Sequence, residues 1–123
     1  MLRKPGGYRN PSLEERLLSI IPDKSHKEWF QQIWNGITGA STKNHPAPYP
    51  VMLAERLIRM FSFVGDTVID PFLGSGTTSI AAAKSGRNSI GVEIDPEYFK
   101  LAADRIQKET TGLFNHTTIK KIA

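Results

Sequence analysis

One stretch decides the fold of this 123-residue chain, Val68-Ile-Asp-Pro-Phe-Leu-Gly-Ser-Gly-Thr-Thr78. An apolar run leads into an acid, Asp70, which is followed by a turn with two glycines and then by a helix-like segment. Glycine lets the backbone turn tightly and lets a ligand come close to it. The succession of strand, glycine-rich loop and helix is typical of a nucleotide-type cofactor site in an α/β protein.

A second acid stands at the end of the next apolar run, in Gly91-Val-Glu-Ile-Asp95. This acid is Glu93, which follows Gly76 by 17 residues. A carboxylate in this position can accept hydrogen bonds from both hydroxyls of a ribose. We therefore expect Asp70 and Glu93 to flank one ligand cleft.

Three classes of cofactor loop can be compared with this pattern. A triphosphate loop carries a lysine and then Ser or Thr after its last glycine, whereas Gly76 is followed by Thr77 and Thr78. A dinucleotide loop carries a third glycine, and its pyrophosphate would be repelled by Asp70. S-adenosylmethionine has a ribose, an adenine, a sulfonium and an ammonium group but no phosphate, so the two acids favour it. The alternative is an ordinary strand–turn–helix in which Asp70 only caps the turn.

Two motifs of this chain resemble those of a known family. Asp70-Pro-Phe-Leu-Gly-Ser-Gly-Thr-Thr78 resembles the cofactor motif of the DNA amino-methyltransferases, which modify adenine N6 or cytosine N4. His45-Pro-Ala-Pro-Tyr-Pro50 is similar to the segment that flanks the cofactor in those enzymes. Because this segment precedes the glycine loop, the order matches the permuted members, in which the catalytic half comes first and the cofactor half last. The resemblance extends over about residues 1–108.

The resemblance implies a binding site for S-adenosylmethionine. Asp70 would bind the ammonium group directly or through water, and Glu93 would bind the ribose hydroxyls. Phe72 would form a wall at the methyl-bearing end, and Ile94 would lie against the adenine. The backbone at the two loop glycines would pass the methionine moiety. The residues implied to bind the cofactor are Pro46, Ala47, Tyr49, Asp70, Pro71, Phe72, Gly74, Gly76, Thr77, Thr78, Glu93 and Ile94.

The catalytic tetrapeptide of the family, Asp/Ser/Asn-Pro-Pro-Tyr/Phe, is missing from this sequence. In the family, its polar side chain and proline carbonyl bind the target amino group, and its aromatic ring stacks on the flipped base. The chain contains no Pro-Pro pair, and Asn44-His-Pro-Ala-Pro-Tyr49 matches the flanking segment better than the tetrapeptide. In the family the tetrapeptide would precede residue 1, so we expect this chain to begin in the middle of a domain.

These observations predict the cofactor-binding part of a site-specific DNA methyltransferase. Such a part would have no catalytic residues of its own and would be inactive alone. Two alternatives stay open: a non-enzymatic remnant, and a subunit that is completed in trans by a catalytic chain.

Composition sets further bounds on the function. Hydrophobic residues make up 39% of the chain and charged residues 23%, which is ordinary for a soluble globular protein. The chain has no cysteine, which excludes disulfides and thiolate metal sites, and we expect no metal. No apolar run approaches the roughly 20 residues of a membrane span, so we expect a cytoplasmic protein without a membrane partner. The net charge of +4 weakly favours a polyanionic partner, DNA, which would be contacted through the complete enzyme.

The first half of the chain predicts helices. Ser12-Leu-Glu-Glu15 and Ser25-His-Lys-Glu28 have the spacing of capping boxes. They would open one helix over about 13–20 and a second that ends before Gly36, and a third helix is expected over 51–61. The apolar residues expected in the core from these helices are Trp29, Phe30, Ile33, Trp34, Leu53, Leu57, Ile58 and Phe61.

The second half predicts one crossover unit. Strand 67–70, helix 77–85, strand 88–93 and helix 96–108 make a βαβα unit, which is part of a Rossmann-like S-adenosylmethionine methyltransferase fold. A single crossover leaves a sheet edge open. We expect this edge to pair with a catalytic partner chain or with a second copy in a homodimer.

The chain is therefore divided into three expected segments. Residues 1–44 would form an irregular segment and a helical pair, and residues 45–109 the cofactor-binding α/β unit. Residues 110–123 would form a mobile tail.

Overall fold

The computed structural model describes residues 6–7, 9–39 and 49–111. The secondary structure of the described residues comprises α1 (Leu13–Leu18), α2 (Asp23–Trp29), α3 (Val51–Phe61), β1 (Thr67–Asp70), α4 (Thr77–Lys84), β2 (Asn88–Gly91) and α5 (Pro96–Thr110). The alternation of β1, α4, β2 and α5 confirms the α/β class. The expected boundary at residue 44 and most of the expected tail lie outside the described residues.

The sheet is a parallel pair whose register fixes the position of the glycine loop. β1 pairs with β2 from Thr67 opposite Asn88 to Asp70 opposite Gly91. Beyond the strands, the amide of Val92 donates to the carbonyl of Asp70, and the amide of Leu73 donates to the carbonyl of Val92, both at 2.9 Å. The loop after β1 therefore folds back against the residues after β2, at the carboxyl edge where ligands of α/β proteins bind.

The core is built around α4, which is rich in alanine. Ile80, Ala81 and Ala82 have no exposed surface. The small alanines let α4 approach α3 closely, and Ile80 packs towards α5. The two core clusters are Ala54, Ile58, Ala81 and Ala82, and Leu73, Ile80, Ala102 and Ile106.

One face of the sheet has no covering helix among the described residues. Ile69 and Ile90 are opposite each other in the register and are both exposed. Leu57 and Phe61 of α3 are also exposed, so the expectation that they are buried was wrong. The physical reason is that α3 contacts α4 through Ala54 and Ile58, and Leu57 and Phe61 do not belong to that contact. Parallel sheets normally carry helices on both faces.

The first capping box is confirmed and the second is wrong. The hydroxyl of Ser12 accepts from the amide of Glu15 at 3.1 Å, and the Glu15 carboxylate accepts from the amide of Ser12 at 2.7 Å. In contrast, α2 begins at Asp23 after Pro22, whose fixed φ suits a helix start. Ser25 therefore lies inside the helix, where its side chain cannot cap the start.

The residues expected in the core from the second helix are Trp29, Phe30, Ile33 and Trp34, and none of them is fully buried. α2 ends at Trp29 instead of continuing towards Gly36, so the other three do not share a helical face with Trp29. Phe30 and Ile33 are exposed, while Trp29 and Trp34 are less so. None of the helices in the described part of the chain combines the length and apolar character that a membrane span requires.

The role of α4 in the core can be tested by replacing isoleucine with alanine in two separate variants, one with the change in α4 and one with the change on the exposed face of the sheet. Ile80→Ala is expected to lower the free energy of unfolding by about 3 kcal/mol, because truncation of this fully buried side chain leaves a cavity. Ile69→Ala, at a residue that is 68% exposed, is expected to cost less than about 1 kcal/mol. Chemical denaturation followed by circular dichroism measures both values. Equal losses at the two positions would contradict this core.

Candidate functional site

The loop between β1 and α4 has a backbone shape that requires glycine. Gly74 and Gly76 have φ of 51° and 78°, a left-handed region that other residues rarely adopt. A Cβ on Gly76 would also lie 3.0 Å from the Cδ1 of Ile106, so α5 packs directly against this glycine. The buried side chain of Leu73 anchors the middle of the loop in the core.

Glu93 connects this loop to the residues after β2. Its Oε2 accepts from the amide of Gly74 at 2.8 Å, and its Oε1 accepts from the amide of Asp95 at 3.0 Å. An ionised carboxylate has about four acceptor positions, so each oxygen of Glu93 retains capacity for a ligand hydroxyl.

Asp70, the other acid, is the last residue of β1. Its Oδ1 accepts from the amide of Phe72 at 3.0 Å, and its Oδ2 accepts from the hydroxyl of Thr78 at 2.5 Å. The Thr78 hydroxyl is in turn hydrogen-bonded to the hydroxyl of Tyr49, which precedes α3. Asp70 thus caps the turn, as the alternative interpretation proposed, and also retains acceptor capacity. The two acids thus both accept from amides of one loop, and the ligand cleft between them stays a prediction.

The remaining expected residues fall into three groups. Phe72 is 87% exposed and Ile94 is 97% exposed, so both offer unfilled apolar surface beside the acids, and Pro71 is also exposed. Thr77 is buried, and its hydroxyl accepts from α5. Pro46 and Ala47 lie outside the described residues.

One residue that contacts the loop, Arg105, was not predicted from the sequence. Nη1 of Arg105 donates to the carbonyl oxygen and the hydroxyl of Ser75 and to the hydroxyl of Thr77, each at 3.1 Å. Its Nε donates to Glu109 at 2.8 Å, and Glu109 also pairs with Lys84. The spacing of Arg105 and Glu109 indicates a helical ion pair, but no local signal shows that the arginine reaches residues 28 to 30 positions earlier.

The ion pair changes the acidity of Glu109. Partial burial raises the pKa of this carboxyl, but the hydrogen bond and positive charge of Arg105, followed by those of Lys84, outweigh burial and leave the pKa below its ordinary value. Glu109 therefore stays ionised below the pH at which an isolated glutamate would be protonated, and it keeps neutralising the arginine.

The hydrogen bonds of the loop disfavour a phosphate ligand. Phosphate-binding loops present free backbone amides to their ligand. Here the amides of Phe72 and Gly74 donate to the two acids, and those of Leu73 and Gly76 donate to backbone carbonyls. The site therefore offers acceptors and apolar surface, which fits a cationic nucleoside with free ribose hydroxyls.

The sequence matches a family of known proteins. Residues 4–104 match the family model for DNA methylases of the N6 and N4 class. The type II methyltransferase M.MthZI of Methanothermobacter thermautotrophicus is 43% identical over an alignment of 132 positions, which includes 99% of this chain and 37% of that protein.

Solved structures agree with the sequence match. TTHA0409 of Thermus thermophilus, which is described as a DNA modification methylase, was solved in complex with S-adenosyl-L-methionine. It superposes with a TM-score of 0.78 at 50% identity over 90% of this chain and 43% of its own. The M1.HpyAVI complex with S-adenosylmethionine superposes with a TM-score of 0.53 at 38% identity over 60% of this chain and 36% of its own.

The present chain thus spans about two fifths of the length of each of these three relatives. Its α/β unit is part of the Rossmann-like fold of S-adenosylmethionine-dependent methyltransferases. The chain belongs to the DNA methylase family.

Proposed function

We propose that this chain is the S-adenosylmethionine-binding portion of a site-specific DNA methyltransferase that acts on adenine N6 or cytosine N4. The observation that carries the proposal is the pair of acids that flank one glycine loop and retain acceptor capacity, while four of the loop amides already donate within the protein. The relatives are type II methyltransferases, which supports DNA as the substrate and a restriction–modification context.

Each residue of the site has a distinct role in this proposal. Glu93 accepts hydrogen bonds from the ribose hydroxyls, and Ile94 lies against the adenine. Asp70 attracts the ammonium group, and Phe72 excludes water at the sulfonium end. When bound, S-adenosylmethionine supplies the methyl group that is transferred to the base nitrogen.

The chain contributes no catalytic residue to this reaction in our proposal. The sequence has no Pro-Pro pair and hence no family tetrapeptide to bind the target amino group. We therefore propose that the chain is inactive alone.

A second candidate is a subunit that a catalytic chain completes in trans, and the apolar groove beside β1 favours it. In the described structure, β1 pairs only with β2, so its outer edge is unpaired. Beside that edge, α3 and β1 line a groove of about 520 Å³ that includes Leu53, Leu57 and Phe61. Since the chain spans only about two fifths of its relatives, we propose that a chain carrying the missing part covers this groove.

Cofactor identity is tested by calorimetric titration of the 123-residue chain. We expect heat of binding with S-adenosylmethionine and none with a nicotinamide dinucleotide, because Asp70 and Glu93 would repel a pyrophosphate and four of the loop amides already donate within the protein. Heat from the dinucleotide alone would reject the proposed cofactor. No heat from either ligand would favour a non-enzymatic remnant.

The exposed phenylalanine of the loop gives a second test. Phe72→Ala is expected to weaken S-adenosylmethionine binding about tenfold by removing an aromatic wall, and to leave the melting temperature unchanged because the side chain is 87% exposed. Phe30→Ala, at a residue that is 50% exposed and directly follows α2, is the matched control and should leave the affinity unchanged. Similar affinities for both variants would contradict the placement of the cofactor.

Completion in trans is tested by methyl transfer to DNA. We expect no transfer from the chain alone and transfer after addition of the chain encoded by the neighbouring gene, if that chain carries the tetrapeptide. Leu57→Asp should abolish the gain by placing a charge in the groove, whereas Leu18→Asp, on exposed α1, should not. Transfer by the chain alone would show that it has its own catalytic residues. Sedimentation of the isolated chain would reveal a homodimer, and loss of that dimer in Leu57→Asp would show that it uses the same groove.

A further inference from the structure

α5 packs directly against the end of the glycine loop. A Cβ on Gly76 would lie within 3.4 Å of Ala102 and Ile106, so the loop backbone rests on this helix. Next to them, Nη1 of Arg105 donates to Ser75 and Thr77, which are both buried. One guanidinium therefore connects the last part of the loop to the first residue of α4.

This guanidinium lies where the charge of the helix disfavours it. Thr77 is the first residue of α4, and a helix N-terminus carries partial positive charge that repels cations. Glu109 offsets the repulsion through its contact with Nε of Arg105 at 2.8 Å. Nη1 of the same arginine donates to the carbonyl oxygen and hydroxyl of Ser75 and to the hydroxyl of Thr77. The positive charge of Arg105 is thus held near the positive end of α4, where the hydrogen bonds of the guanidinium fix the shape of the loop.

We propose that Arg105 is a positioning residue for the methionine end of the cofactor. The inference rests on the proposed function, since it names what shapes that same site. Glu93 fixes the amide of Gly74, and Arg105 fixes the carbonyl of Ser75, so neighbouring residues of the loop are restrained by two different side chains before any ligand binds. A preformed loop loses less conformational entropy on binding than a mobile one.

The test compares two ligands on folded variants of the full 123-residue chain. Arg105→Met is expected to weaken S-adenosylmethionine binding about tenfold, because the loop must then be ordered by the ligand. Binding of methylthioadenosine, which lacks the amino-acid moiety, should weaken less than about threefold. Calorimetry measures both affinities, and chemical denaturation measures the folded fraction.

A matched control and a milder variant make the result decisive. The control is Arg59→Met. Arg59 is also paired with a glutamate four residues away, Glu55, but this pair lies outside the loop, so the substitution should leave both affinities unchanged.

The milder variant is Glu109→Gln, which is used if Arg105→Met does not fold. This variant keeps Arg105 but weakens the interaction that restrains it, and we expect about threefold weaker S-adenosylmethionine binding.

The outcomes separate this inference from the proposed function. Absence of S-adenosylmethionine binding by the unsubstituted chain would refute the proposed function itself. If the unsubstituted chain binds, equal weakening of the two ligands by Arg105→Met would show a general structural role and overturn the inference. Unchanged S-adenosylmethionine affinity in the folded variants would overturn it as well, while the cofactor assignment would stand.

Discussion

The site depends on one carboxylate that accepts two backbone hydrogen bonds from different loops. Glu93 receives the amide of Gly74 at 2.8 Å and the amide of Asp95 at 3.0 Å. This is possible because the parallel register places Asp70 opposite Gly91, so both loops leave the sheet at the same edge. Hydrogen bonds to a charged acceptor are stronger than those between neutral groups. The carboxylate therefore determines the loop shape before it meets any ligand.

The chemical character of the site follows from this use of the backbone. A glycine loop with free amides attracts anions, whereas four amides of this loop donate to the protein's own acids and carbonyls. What remains for a ligand is acceptor capacity on two carboxylates and the exposed faces of Phe72 and Ile94. The same elements that form a phosphate site in other α/β proteins thus form a site suited to a cationic nucleoside.

Short-range sequence patterns were enough to predict most helices and strands in the second half of the chain. β1 and α3 have the expected bounds, and α4, β2 and α5 differ from expectation by a few residues. The acids and glycines were found because strand, turn and helix signals coincide at one place. Arg105 was missed because its partners lie 28 to 30 residues away. The exposure of Phe61 was missed because apolar spacing shows which side chains share a face, and not whether another element covers that face.

Binding of S-adenosylmethionine by the acid-restrained loop can be followed residue by residue. The experiment is nuclear magnetic resonance of the ¹⁵N-labelled chain during titration with S-adenosylmethionine. We expect the amide signals of Gly74, Gly76 and Asp95 to shift most, with saturation, because their hydrogen-bond acceptors and surroundings meet the ligand. Saturable shifts that leave these three signals unmoved, or no shift at all at millimolar ligand, would contradict it.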